Sequence, residues 1–228
     1  MEPAVNGYEP VIPAADAVVL GITRSSSGNY RKRDRQDLRV LLTRRSQEPF
    51  AGCCCLPGSF IRADETPEAA VHRTLKEKAG LEGLYIEQLY TFGDIGRDPR
   101  MRVISIAYIA LTYSTGLQES EDSGVCWCTL EEIDRLPMAF DHRRIIHEAV
   151  KRLRGKLNYT DIVFHLLPEE FTIGEAQEIY EIILGEKLLP AAFRRTIEPK
   201  LEFTGKMTSN EGHRPSRIYR LKSSGEEA

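Results

Sequence analysis

Residues 58–81 read GSFIRADETPEAAVHRTLKEKAGL, and this stretch decides what kind of domain the chain builds. Thr66 has the side chain of an N-cap, Pro67 suits the first helical position, and Glu68 puts negative charge in the first turn. Gly80 supplies the residue type at which helices stop. The spacing predicts a helix that opens at Pro67 and ends at Gly80. Positions 74, 77 and 78 stand at i, i+3 and i+4, so Thr74, Glu77 and Lys78 share one helix face.

On the N-terminal side, residues 17–23 (AVVLGIT) and 38–43 (LRVLLT) are apolar, β-branched runs and read as strands. The Ser/Gly/Arg-rich connection between them carries a basic run, YRKRDR at 30–35, which reads as a solvated hairpin tip. Residues 56–61 form a short extended lead into the helix. Further strands are expected at 85–92, 103–113 and 125–128. Asp141 then caps a second long helix, in which Ile145, Ile146, Ala149, Val150 and Leu153 have the spacing of a buried face. A boundary just after it divides the chain into 1–155 and 156–228.

Composition sets the class. Of 228 residues, 29% are charged and 41% hydrophobic, as in ordinary soluble domains. No apolar run approaches the ~20 residues that span a bilayer, and the N-terminus lacks the features of an export signal. Five cysteines, three of them consecutive, make a poor disulfide framework and suggest a reducing compartment. The expectation is a cytoplasmic protein with no membrane association. Cys53, Cys54, Cys55, Cys126 and Cys128 contain no CxxC pair, and adjacent strand residues point to opposite faces, so they read as core cysteines. Neither a metal nor a cofactor is expected. The net charge of −3 hides an asymmetry: residues 188–222 hold eight Lys/Arg against three Glu, a locally basic segment.

Residues 58–81 resemble the Nudix box, whose pattern is Gly, five residues, Glu, seven residues, then Arg-Glu-aliphatic-any-Glu-Glu-any-Gly-aliphatic. Glu65, Arg73, Leu75, Glu77, Gly80 and Leu81 match it. Ser59 replaces the family Gly, while Thr74 and Lys78 replace family Glu. The resemblance implies that the three helix positions gathered divalent cations to activate water and neutralise a pyrophosphate. Hard cations need oxygen ligands, preferably anionic, and exchanging attraction for repulsion at ~4 Å costs several kcal/mol. Catalysis is therefore expected to be lost, with Glu77 paired to Lys78 or Arg73.

A pocket without metal can still hold a ligand. The loop GDIGRDPRM at 93–101 resembles those of Nudix proteins acting on ADP-ribose-like nucleotides. Arg97 and Arg100 would clamp a phosphate, Phe60 would stack on a base and Arg62 would assist. In the other reading, Asp98 and Pro99 hold a turn and leave the arginines in solvent. A sugar effector without phosphate stays open.

In the C-terminal segment, Thr172 and Glu175 form a capping box for a helix ended by Gly185. A second helix runs from Pro190 to about Glu198, with Leu189, Phe193, Ile197 and Leu201 as its buried stripe and Arg194 and Arg195 outside it. Two strands follow. Helix, turn, helix and a two-stranded ribbon is the order of a winged helix-turn-helix. The phrases AFDH (139–142), RGKLNYT (154–160), AFRR (192–195) and HRPSRIYR (213–220) resemble the Nudix-related transcriptional regulators of the NrtR type. That resemblance covers residues 14–222. It implies an α+β chain: a Nudix α/β/α sandwich with a mixed sheet, followed by a DNA-binding winged helix. The family represses NAD-metabolism or sugar-utilisation genes as a homodimer on a palindromic operator. Thr172, Arg194, Arg195, Lys206, His213, Arg214 and Arg217 are the expected DNA-contacting residues, and ADP-ribose or a sugar the expected effector. The rival reading is an active hydrolase of ADP-ribose-like pyrophosphates.

Overall fold

A computed structural model describes residues 10–25, 35–113, 124–209 and 215–222. Residues 30–34 of the basic run fall outside these, as do His213 and Arg214. The chain divides into two compact units between Arg152 and Leu153.

The first unit is built on a seven-stranded mixed sheet. Its strands are β1 (Ile12–Ser25), β2 (Arg35–Arg44), β3 (Cys54–Cys55), β4 (Gly58–Phe60), β5 (Tyr85–Phe92), β6 (Val103–Thr112) and β7 (Val125–Thr129). The main path runs β3-β2-β1-β6-β5, with β4 paired to β1 and β7 to β2. Among the named strands of the described residues, β1 and β6 alone pair in parallel, from Ile12 against Val103 to Gly21 against Thr112. Strands side by side but distant in sequence need a crossover, and helix α1 (Pro67–Ala79) lies within that connection. It begins and ends as its sequence dictates. Thr66 accepts a hydrogen bond from Ala69 N–H, and Gly80 adopts φ 65°, in the left-handed region.

Side-chain alternation along β1 divides the core into two layers. Ala15, Ala17 and Val19 pack with Ala70, Val71 and Leu75 of α1, together with Trp127 and Tyr108. The intervening Asp16, Val18 and Leu20 are buried on the opposite face. Helix α3 (His142–Lys156) buries Ile145, Ile146, Ala149, Val150 and Leu153, the predicted stripe. The Asp141 carboxylate at the start of α3 is held by Arg97. A short helix α2 (Leu130–Arg135), absent from the sequence reading, opens with a capping box between Thr129 and Glu132.

The buried thiols sort by side of the strand. Cys128 Sγ lies 3.7 Å from Cys126 Sγ. Cys55 Sγ and Thr43 Oγ1 are 3.2 Å apart. Burial pushes the Cys54 and Cys55 thiols up, and hydrogen bonding to Cys126, with burial, pushes up Cys128.

The second unit contains a 3-10 turn (Ile162–Leu166), β8 (Phe171–Thr172), α4 (Ile173–Leu184), α5 (Pro190–Ile197), a second 3-10 turn (Glu198–Lys200), β9 (Leu201–Met207) and β10 (Arg217–Leu221). The strands form an antiparallel sheet in the order β8-β10-β9, so the ribbon gains a third strand too short for any periodicity to reveal. Tyr180 of α4 meets Phe193 of α5 edge-on at 5.0 Å, and Ile179, Ile183, Ile197 and Leu201 complete the core. Leu189 departs from the expected stripe and is 78% exposed. It is the extended N-cap of α5, one residue before helical spacing applies.

Gly58 tests how tightly β4 sits on β1. A Cβ there would lie 1.9 Å from Asp16 Oδ1. Asp16 cannot swing away freely, because Ser105 Oγ donates to its other oxygen at 2.5 Å. Gly58→Ala is expected to lower stability by about 1–3 kcal/mol, measured as a lower urea midpoint at unchanged m-value.

Candidate functional site

One end of the first unit's sheet opens into a cleft of about 200 Å³ lined by Asp16, Arg45, Phe60, Lys78, Arg97, Asp98, Arg100, Phe140 and His142, among others. A second depression of about 390 Å³ shares Arg45, Gln47, Cys55 and Lys78 with it. Together they reach the size of ordinary small-molecule sites.

The helix face that would hold metal has a different chemistry here. Thr74 is 1% exposed and its hydroxyl lies 2.7 Å from Ser59 Oγ, so two departures from the Nudix pattern meet each other. Lys78 Nζ donates to the Gly58 carbonyl at 2.6 Å rather than pairing with Glu77. Glu77 faces Arg73 at 3.4 Å and Arg62 at 4.0 Å. A hydroxyl, one arginine-paired carboxylate and an ammonium do not fit a hard dication. Among the described residues no group of His, Cys, Asp or Glu is arranged to hold a metal.

Glu65 and Arg73 form the scaffold of this corner. Arg73 Nε donates to Glu65 Oε2 at 2.9 Å and Nη2 to Oε1 at 2.5 Å, while the Arg62 N–H donates to the same carboxylate at 2.9 Å. The Arg73 hydrogen bonds, then the Arg62 amide, hold the Glu65 carboxyl down at about 2.

Arg97 and Arg100 both line the cleft, but their forks are already engaged. Arg97 is buried and donates to Asp141 through Nε at 3.1 Å and Nη2 at 2.7 Å, with Asp16 at 3.6 Å. Arg100 grips Asp98 in the same way, at 3.0 and 2.7 Å. The loop thus combines both sequence readings: Asp98 holds it and Arg100 keeps 38% side-chain exposure, while Arg97 is buried in the cleft wall. The Arg100 guanidinium also sits 5.9 Å from the ring centres of both Phe60 and Phe140. Phe60 is on the cleft rim at 42% exposure, a position suited to stacking.

Sequence reasoning missed Asp16, Arg45, Phe140 and His142. Arg45 donates to the Pro49 and Gln47 carbonyls and lies 4.8 Å over the Phe140 ring. Phe140 has φ 53°, a left-handed backbone that costs a bulky residue about 1–3 kcal/mol. His142 Nδ1 accepts the Leu56 N–H at 2.9 Å, which requires that nitrogen unprotonated, and burial pushes the imidazole pKa down. The phrase AFDH, singled out only for its resemblance, was the available signal.

In the second unit, Phe193 and Ile197 turn α5 inward and leave Ala191, Ala192, Arg194, Arg195 and Thr196 exposed. Arg194 is clamped by Glu198 at 3.2 and 3.1 Å. Arg195 makes no ion pair among the described residues. On the ribbon, Lys206 pairs with Glu170 at 2.7 Å, whereas Arg217 lies 5.3 Å over the Phe203 ring and its charge acts on the Glu198 carboxylate from a distance. The Thr172 hydroxyl is taken by its capping box, donating to Glu175 Oε2 and accepting Glu175 N–H.

Comparison with known proteins follows this division. Residues 24–149 match the NUDIX domain and residues 163–221 the NrtR DNA-binding winged helix domain. The chain is 39% identical over 195 residues to an ADPR responsive transcriptional repressor of Acinetobacter baylyi, covering 82% of this chain and 77% of that protein. It is 36% identical over 121 residues to an ADP-ribose pyrophosphatase of Methanocaldococcus jannaschii, covering 53% of this chain and 70% of that one. Shewanella oneidensis NrtR, solved with a 27mer DNA, superposes with a TM-score of 0.78 at 35% identity, covering 92% of this chain and 93% of that one. Its NUDIX domain, solved with ADP ribose, gives a TM-score of 0.53 at 34% identity over 66% of this chain and 94% of that one.

The depressed Glu65 carboxyl makes a pH prediction. Its stabilisation is fully present above the unfolded value near 4.5 and is lost as pH falls through about 2. Urea titrations from pH 6 to pH 2.5 are expected to show Glu65→Gln less stable at pH 6, with the gap from wild type narrowing toward the acid end.

Proposed function

The chain belongs to the NrtR family of Nudix-related transcriptional regulators, and from that membership we propose that it is an ADP-ribose-responsive repressor. The second unit binds operator DNA, and the cleft of the first binds the effector. The observation that carries this reading is the state of the helix face at Thr74, Glu77 and Lys78. It keeps the Nudix frame while its donors are occupied by Ser59, Arg73, Arg62 and Gly58. Such a site retains a ligand rather than cleaving it, so the chain is read as a receptor and not a hydrolase.

DNA recognition follows from α5. Two alanines beside an uncommitted arginine let a helix approach base edges closely, with Arg195 able to address guanine O6 and N7. Arg217 and Lys206 suit backbone phosphates, which position the protein without reading sequence. Thr172 contributes by fixing the α4 N-terminus through its capping box. A homodimer would place two such helices on a palindromic operator. ADP-ribose then releases DNA by binding one of two states more tightly than the other.

Mobility shifts on the chain's own upstream region test this. ADP-ribose is expected to abolish the complex, and absence of a shift even at low salt would overturn the reading. Magnesium-supported turnover of ADP-ribose above ~1 s⁻¹, an ordinary enzymatic rate, would replace it with the hydrolase. Arg195→Ala is expected to weaken operator binding about 5- to 150-fold, as one bidentate guanine contact commands. Arg194→Ala, already neutralised by Glu198, should change it less than threefold. Arg217→Ala should lower the salt slope by about one unit across operator sequences.

A further inference from the structure

Much of the second unit's positive charge is cancelled within the unit itself. Lys187, Lys200, Lys206 and Arg220 each pair with one of its carboxylates. Arg194 belongs to this set but is held from more than one side. Glu198 takes its guanidinium with both oxygens, Oε2 from Nε at 3.2 Å and Oε1 from Nη2 at 3.1 Å. An exposed pair four residues apart on a helix is ordinarily loose, because holding two long side chains costs entropy. Here the carboxylate has a third partner. The Tyr219 hydroxyl donates to Glu198 Oε1 at 3.3 Å, and Tyr219 is itself buried on β10.

Glu198 therefore stands at a joint. It closes α5 and opens the 3-10 turn that leads into β9, with Pro199 directly behind it. The Arg194 hydrogen bonds, then Tyr219 and the Arg217 charge, hold its carboxyl below the ordinary value. Arg195 makes no ion pair among the described residues and is exposed on the same helix. Successive helical residues point about 100° apart, so the two arginines do not converge on one base. Phosphate contacts carry no sequence information, yet they supply essentially all non-specific binding. Where no base contact fixes the helix, it settles where phosphate contacts are most numerous. A second free cation on α5 would thus strengthen the wrong complex more than the right one.

Resting on the operator-binding reading above, we propose that Glu198 determines specificity by withholding Arg194 from DNA phosphates, which leaves Arg195 as the cation of α5 available to base edges. Glu198 is a positioning residue and touches no base. Its bond to Tyr219 fastens the Arg194 fork to the ribbon, so approach of a phosphate does not simply swing the pair open.

Salt titrations of DNA binding by the full chain test the proposal, with the upstream operator region compared against a scrambled duplex of equal length and composition. Glu198→Gln keeps an oxygen for Tyr219 but loses the charge. It is expected to bind the scrambled duplex about three- to tenfold tighter at ~0.1 M salt, with a salt slope steeper by about one unit per chain. Operator affinity should rise less than about twofold, so the preference for operator falls. Adding Arg194→Ala should cancel most of the gain, and Glu198→Asp, which keeps the charge, should hold the wild-type slope. Thermal melts check that each variant folds; a merely structural role would weaken both complexes and steepen no slope. Scrambled-duplex binding that is unchanged or weaker, a gain undiminished by Arg194→Ala, or an equal gain on both duplexes would overturn the proposal and leave the repressor reading standing. Wild type with no preference for the operator would remove both.

Discussion

The guanidinium of Arg97 is the fastening on which the first unit's functional end depends. It is 4% exposed, and a charge buried that far is stable only with its counter-charges in place. Those counter-charges come from Asp16 in the middle of β1 and Asp141 at the start of α3. One side chain from a loop therefore joins a central strand to a helix end. The neighbours inherit their positions from that joint. Asp98 and Arg100 follow Arg97 in the loop, Phe140 precedes Asp141, and His142 follows it to take the Leu56 amide. Removing one member would leave a buried charge uncompensated and loosen four cleft residues at once.

Much of the frame was legible before any coordinates. Thr66, Pro67 and Gly80 announced α1 because caps and breakers act locally. The five apolar positions of α3 announced its buried face because helical periodicity is short-ranged. The misses share a cause. Whether Arg97 is free or engaged is decided by Asp141, 44 positions away, and Asp16, 81 positions away, and no local pattern carries that. Arg45 gave no signal in a stretch with two arginines and a proline, and it became visible only when Phe140 was brought beneath it. Arg194 and Arg195 looked alike in sequence, and Glu198 one turn on distinguishes them. That pairing was within reach of the i, i+4 rule and could have been drawn.

The cleft also shows how the Nudix frame accommodates a changed helix face without stranding its polar groups. Ser59 and Thr74 satisfy one another, and Lys78 takes a carbonyl on β4, so the altered helix face leaves no polar group stranded. The exchange alters the charge of the site relative to the Nudix pattern.

The clustered thiols carry a separate consequence. Cys54, Cys55 and Cys128 are all disfavoured as thiolates, and the thiolate is the form that peroxides and electrophiles attack. Those three sulfurs are thereby shielded from oxidants that reach the sheet.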